Sequence, residues 1–121
     1  MLSAICALLL ALAQGSAMQA GLATWYDTPG LTAAAGPLLR VGAWRGRLVS
    51  VTAANGASIT VQLTDWCACG DRGGQPTLLD LSAGAFRRLA PLSVGVIAVE
   101  VEVLTRVPTV LPQTDTIEET P

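Results

Sequence analysis

Asn55-Gly56 is the feature that most constrains how this chain can fold. Both residues tolerate positive φ, and such a pair between two alternating runs is the strongest short-range hairpin signal. Before it, residues 47–53 (RLVSVTA) set Leu48, Ser50 and Thr52 against Val49, Val51 and Ala53. After it, residues 58–64 (SITVQLT) set Ile59, Val61 and Leu63 against Ser58, Thr60, Gln62 and Thr64. A period of two places one set on a buried face and the other toward solvent.

Further strands follow the same logic. Residues 21–26 (GLATWY) read as a first strand, with Leu22, Thr24 and Tyr26 on one side and Ala23 and Trp25 on the other. Residues 27–30 (DTPG) are turn chemistry. Residues 31–43 are Ala/Gly-rich with a Gly36-Pro37 break, and read as an irregular crossing with a short helical turn or strand. Residues 70–74 read as a flexible loop, and 77–81 as a short apolar strand. Ser82 is a natural helix N-cap. Phe86, Leu89 and Ala90 then share one helical face, Arg87 and Arg88 point away, and Pro91 stops the helix. Residues 94–104 (VGVIAVEVEVL) read as the last strand, with Val99, Val101 and Val103 alternating with Glu100 and Glu102. The sum is a mainly β domain with one short helix before its final strand.

The chain has 121 residues, which suits one domain. Residues 1–20 read as an export signal. Ile5 to Ala13 is an apolar run of nine, enough for a signal core and too short to span a bilayer. Small residues follow, and cleavage is expected after Ala17 or Ala20, although no Lys or Arg precedes the run. A buried N-terminal strand or helix is the alternative. With the signal removed, the mature form has no stable membrane span and lies outside the cell or in the periplasm. Residues 105–121 hold three Pro and five Thr and are expected to be a disordered acidic tail. Residues 21–104 carry six Arg against six acidic residues, so the net charge of −2 arises in the tail. No basic stripe exists to hold nucleic acid. The chain has no His, which removes the commonest general base and metal ligand. Acid–base chemistry falls to Asp or Glu, with Tyr26 a distant third.

Asp65 and Asp80 each end a strand-like apolar run, and Asp80 leads straight into the helix. That order can bring two carboxylates to one end of a small barrel. Paired carboxylates do much of glycan chemistry. In that reading, burial and mutual repulsion hold one carboxyl protonated as an acid. The bland reading of Asp80 is structural, as a carboxylate satisfying free N–H groups at the helix start. Trp66, beside Asp65 in a polar loop, is the best candidate to stack on a sugar ring. Trp25 reads as core, while Tyr26 and Trp44 are open between the two roles. Cys67 and Cys69, with no His and no second pair, do not make a metal site, and no cofactor is expected. In an exported chain a disulfide is the default, but Cys-X-Cys closes a strained ring, so a cross-chain bridge or free thiols stay open beside a local bridge. Residues 70–74 lack phosphate-loop spacing and suit a groove-edge loop from which Arg72 touches substrate.

Residues 21–26 (GLATWY), 63–65 (LTD), 79–82 (LDLS) and 85–89 (AFRRL), in that order before a Val-rich strand, resemble the double-psi β-barrel domain of expansins and rare-lipoprotein-A-like proteins. The resemblance implies a six-stranded barrel with a groove for an extended polysaccharide. It implies functional polar groups at Thr24, Asp65 and Asp80. In the related lytic transglycosylases it implies an Asp matching Asp65, a His in the Ala-rich crossing and an upstream acid. Here no His stands near residues 33–36, and no Asp or Glu lies between Thr28 and Thr64. The resemblance covers residues 21–104 and takes in only the barrel, so the second, carbohydrate-binding domain of full expansins is not expected here. These departures weigh against peptidoglycan lysis and favour the expansin-like core.

The expectation is a secreted, monomeric module that binds peptidoglycan or a cellulose-like glycan and loosens it without net hydrolysis. Asp65 and Asp80 would be its working groups, and Thr24, Tyr26, Trp66 and Arg72 its substrate contacts. The alternatives are a lytic transglycosylase using an Asp as acid and then base, and a binding or interaction module without chemistry.

Overall fold

The computed structural model describes residues 18–104. The apolar segment 1–17 and the tail 105–121 lie outside the described residues. Seven strands occur, β1 (Met18–Tyr26), β2 (Thr32–Ala35), β3 (Leu48–Ala53), β4 (Ser58–Trp66), β5 (Asp71–Arg72), β6 (Gln75–Ser82) and β7 (Ile97–Val103). One short helix, α1 (Ala83–Arg87), precedes the last of them. β1 begins at Met18, so the first three residues of the strand belong to the segment read as an export signal.

Six strands close into a barrel in the order β1-β7-β3-β4-β2-β6, with β6 returning to β1. Closure removes the exposed edges that an open sheet would leave. The pairs β1–β6 and β2–β4 are parallel. The antiparallel pair β2–β6 joins them, giving the double-psi arrangement. Alternation fills the interior. Val49 and Val51 of β3, Ile59, Val61 and Leu63 of β4, and Val99 and Val101 of β7 are buried together. Phe86 and Leu89 from the helical segment cap that core. Trp25 packs on the same cluster, with its Nε1–H donating to the Leu92 carbonyl at 2.9 Å.

The Asn55-Gly56 hairpin forms as the sequence requires. Gly56 sits at φ +92°, and the Asn55 side chain accepts from the Ala57 N–H at 2.8 Å. Three readings need correction. The Ala-rich crossing holds both the short strand and the short helical turn read there, but it is regular rather than irregular: β2 is hydrogen-bonded on both edges and a 3₁₀ turn follows at Pro37–Leu39. Residues 70–74 are not an open loop: β5 pairs with the start of β6 across Gly73-Gly74, both at positive φ, the conformation of a tight hairpin turn. The final strand starts at Ile97, because a 3₁₀ turn at Leu92–Val94 and Gly95 at φ +80° break the chain before it.

Two irregularities interrupt the ladders. Between Leu22 and Ala23 of β1, β6 carries one extra residue, since Leu22 pairs with Thr77 and Ala23 with Leu79. Between Ala33 and Ala34 of β2, β4 carries one extra residue, since Ala33 pairs with Leu63 and Ala34 with Asp65. Each extra residue resets which side chains face inward from that point on. Gly36 crosses directly over the β6 irregularity, and its N–H donates to the Leu78 carbonyl at 2.8 Å. A Cβ there would stand 2.6 Å from the Thr77 carbonyl oxygen and 2.7 Å from that of Leu78. Neither obstacle is a movable side-chain end. Gly36→Ala is therefore expected to destabilise the fold by about 1–3 kcal/mol or more. Gly70→Ala, with open space around its Cβ, should stay within about 0.5 kcal/mol. Urea unfolding of the two variants checks the contrast.

Candidate functional site

Each extra residue lies just before an aspartate in the ladder, Thr64 one residue before Asp65 and Leu78 two before Asp80. Along β4, Ile59, Val61 and Leu63 point inward, and strict alternation would send Asp65 inward after them. The extra residue at Thr64 sets Asp65 opposite Ala34 instead, and Asp65 is exposed. Along β6, Leu78 and Leu79 are both buried, after which Asp80 faces out and Leu81 in. Four neighbouring strands thus contribute one row: Asp65 on β4, Ala34 on β2, Asp80 on β6 and Thr24 on β1. Ala34 is buried but stands apart from the inner core, and forms the floor between the two carboxylates. Two strand spacings separate the Asp65 and Asp80 backbones, about 9.5 Å.

Thr24 Oγ1 donates to Asp80 Oδ1 at 2.8 Å. Burial pushes the Asp80 carboxyl above its ordinary value, and the Thr24 hydrogen bond opposes that rise. Asp80 does not serve the helix. Ser82 caps it, accepting from the Ala85 N–H at 3.3 Å while donating to the Gly30 carbonyl at 2.7 Å. The Ser82 hydroxyl thus fills the capping role considered for Asp80, whose own hydrogen bond goes across to Thr24 on β1. Asp65 Oδ1 accepts from the Trp66 N–H at 2.8 Å.

Tyr26 lies two residues past Thr24 on the same face. Its phenol is pushed up by burial first, then by the charges of Asp65 and Asp80, against a hydrogen bond with Thr28. Both aspartates thus act on one hydroxyl. Trp66 is 55 % exposed, with the Arg40 guanidinium 5.4 Å from its ring centre. Cys67 and Cys69 are joined in a local disulfide, with Cα atoms 5.1 Å apart. The Cys67 carbonyl accepts from Arg40 Nη1 at 2.8 Å, tying the bridged loop to the Trp66 platform. Arg72 lies outside this cluster. It pairs with Gln75, five residues before Asp80 on β6, roughly 16 Å along the strand.

Sequence reasoning missed Ala34, Arg40 and Arg45. Nothing marks an alanine as a groove floor. Arg45 follows Trp44 directly, and that adjacency was the one available sign of their stacking at 4.5 Å. A cavity of about 730 Å³ lies at the other end of the barrel, lined by Ala20, Gly21, Ala53, Gly56, Pro76 and Val99, none of which belongs to the row. Among the described residues, no group of three or more His, Cys, Asp or Glu could hold a metal ion.

The electrostatics can be read directly, because Tyr26 is the chain's one tyrosine. Asp65→Asn and Asp80→Asn should each lower its phenol pKa part of the way back, leaving the share due to burial. Phenolate absorbance against pH measures this. The sign for stability follows from the raised Asp80 carboxyl. The folded state holds that proton more tightly than the unfolded chain, so its contribution is full below the ordinary carboxylate range and lost as pH rises through the raised value. Asp80→Asn keeps an acceptor for Thr24 without a charge to desolvate. It should melt no lower than wild type at neutral pH, with the difference closing in acid.

The family model described as lytic transglycolase, a double-psi β-barrel domain, matches residues 18–101. No curated protein sequence matches the chain significantly. Among solved structures, apo expansin of Clavibacter michiganensis is similar at 26% identity and a TM-score of 0.60, covering 77% of this chain and 52% of that one. An Asp-to-Asn mutant of the same expansin in complex with cellohexaose matches at 24% identity and a TM-score of 0.61, covering 78% of this chain and 54% of that one. The Streptomyces papain inhibitor matches at 25% identity and a TM-score of 0.57, covering 73% of this chain and 94% of that one. The chain thus spans about half the length of the expansin structures and nearly the whole of the inhibitor. Since the family model takes in all but the last three of the described residues, the chain belongs to the lytic transglycolase family of double-psi β-barrel domains.

Proposed function

We propose that this protein is an exported, monomeric, expansin-like module that holds an extended cell-wall polysaccharide across the Thr24–Asp80–Ala34–Asp65 row and loosens it without net hydrolysis. The observation that carries this reading is the row itself, two carboxylates in register on either side of a methyl floor. Asp65 accepts sugar hydroxyls at the exposed end. Asp80 holds its second oxygen toward the groove while Thr24 occupies the first. Tyr26 and Trp66 offer ring faces to the apolar faces of sugars. The cellohexaose complex of the related expansin supports a glucan as the first probe, and the family description supports peptidoglycan as the second.

Loosening needs only that polymer–polymer hydrogen bonds be exchanged for bonds to the protein. Cleavage needs more. A proton must reach the glycosidic oxygen, and a base must then activate the attacking group. Asp80, whose carboxyl burial pushes above its ordinary value, suits the first task. The chain has no His to share the second, and Asp65 stands a full strand away across Ala34.

One observation favours a second reading, a protein-binding module without glycan chemistry. The papain inhibitor is matched over 94% of its length, so a single barrel of this size serves in that protein. The bridged loop beside Trp66 would be the contact surface here.

The full chain, Asp65→Asn and Asp80→Asn are compared for binding to cellulose and to peptidoglycan, with soluble products read by mass spectrometry and papain activity assayed in parallel. The expected result is binding without products, weakened roughly tenfold by either substitution, the worth of one charge-assisted hydrogen bond. Binding that relies on the Asp80 proton should fade as pH climbs through the raised Asp80 value. Anhydro-sugar products that vanish in Asp80→Asn would replace loosening with lytic cleavage. Papain inhibition without glycan binding would establish the second reading in its place.

A further inference from the structure

We propose that the Asp65 edge of the row carries a carboxylate-binding subsite, built on Arg40 and Arg45, which selects an acidic sugar residue of the glycan. This rests on the glycan reading above and adds the charge that the site prefers.

Arg45 runs alongside β4. The neighbouring Gly46 N–H donates to the Leu63 carbonyl at 2.7 Å, and Arg45 Nη1 donates to the Thr64 carbonyl at 2.8 Å. Its guanidinium lies over the Trp44 ring. Arg40 approaches the same stretch from the β2 side. Its Nη1 donates to the Ala35 carbonyl at 3.0 Å and the Cys67 carbonyl at 2.8 Å, and its guanidinium lies over Trp66. The Thr64 and Cys67 carbonyls are three residues apart, roughly 10 Å along extended chain, so the two cations bracket Asp65 and Trp66. Long cationic side chains on a surface ordinarily lose much rotamer freedom on binding a ligand. Here each is already stacked on an indole and bonded to the main chain through Nη1, and the planar fork of Nε and Nη2 is the geometry a carboxylate accepts.

The surroundings fix where such a charge can sit. Asp65 and Asp80 repel an anionic sugar from the centre of the row, and the two arginines attract it to the edge. Like-charge repulsion and opposite-charge attraction together set the register of a bound chain. Arg45 is exposed, and on its β3 side it also lines, with Arg47, Gln62 and Leu104, an open depression of about 450 Å³ that does not reach Arg40. A uronic acid and the lactyl or peptide carboxylates of peptidoglycan share this chemistry.

The full chain is titrated with polygalacturonate and with its methyl ester, which keeps the polymer and removes the charge, with cellulose as the neutral reference and peptidoglycan as the second carboxylate source. Wild type should bind polygalacturonate roughly tenfold more tightly than the ester, and added salt should shrink that preference. Arg40→Gln combined with Arg45→Gln should abolish that acid-over-ester preference, which is read as a ratio so that any loss of support for Trp66 cancels. Arg45→Lys should lower it by losing the fork, and Arg87→Gln on the helix should leave it intact. A stronger response to peptidoglycan than to polygalacturonate, lost in the double variant, would assign the carboxylate to the peptidoglycan source and equally support the subsite. Equal wild-type binding to acid and ester, with cellulose still bound, would overturn the subsite and leave the glycan reading standing. An unchanged preference in a double variant that melts like wild type would also overturn it. No binding to any of the polymers would sink the glycan reading itself.

Discussion

The constraint on which this end of the barrel depends is the narrowness of β2. Three alanines, Ala33 to Ala35, are hydrogen-bonded to β4 on one edge and β6 on the other. Ala33 and Ala35 fill the interior, where little room remains beside Leu63, Leu79 and Leu81. Ala34 faces the other way with nothing beyond a methyl. A larger side chain there would stand between Asp65 and Asp80 and fill the groove. The glycine that follows is equally bound, because its missing Cβ lets the chain cross two carbonyls of β6. Small residues at four consecutive positions are thus what lets two carboxylate-bearing strands flank a third without closing the space above it.

The same strand explains how much of the molecule was legible in the sequence. The β3–β4 hairpin was plain, because alternation and Asn55-Gly56 agree. The Ser82 cap and the Val-rich β7 were equally plain. β2 was not, since alanine is depleted in strands and carries no alternation of size or polarity to read. Its strand character comes from its neighbours on both sides. The extra residues in β4 and β6 were also hidden. Thr64 looks like an ordinary solvent-facing strand residue, and Leu78-Leu79 like a continuous apolar run. Yet these two residues turn Asp65 outward and align Asp80 with Thr24. The aspartates could be named from their order in the chain, while their placement in one row depended on a register that only pairing sets.

Charge is distributed along the groove in a way that a balanced total conceals. Six arginines match six acids over residues 21–104, which reads as neutral. In the folded chain, Asp80 and Asp65 share the row, with Tyr26 two residues past Thr24, while Arg40 and Arg45 lie at the Asp65 edge, each against a tryptophan. The Cys67–Cys69 bridge belongs to this arrangement. The Cys67 N–H donates to the Ala35 carbonyl at 3.0 Å, and the Cys67 carbonyl accepts from Arg40. The bridged loop is therefore tied to the strand that floors the groove and to the cation that backs Trp66. Sequence adjacency of Trp66 and Cys67 becomes a mechanical link between the exposed Trp66 ring and β2.

Asp80 concentrates the chemical question. A carboxyl that is half-buried, bonded on one oxygen by a threonine hydroxyl, and free of any duty to the helix has two uses open to it. As an acceptor it can hold a sugar hydroxyl through its second oxygen. As an acid it can lend a proton that burial keeps on it above the ordinary range. Cleavage asks for more than this, because a proton alone does not complete the displacement. A second group must act on the same bond, and Asp65 sits two strand spacings away. An extended polymer lying along the row would meet the two carboxylates at different sugars. Under the proposed reading, that arrangement lets the site grip a chain at successive units. If the proposed grip holds, the edge arginines would take part in the same function, since a polymer held at several units gains specificity from each unit whose charge is read.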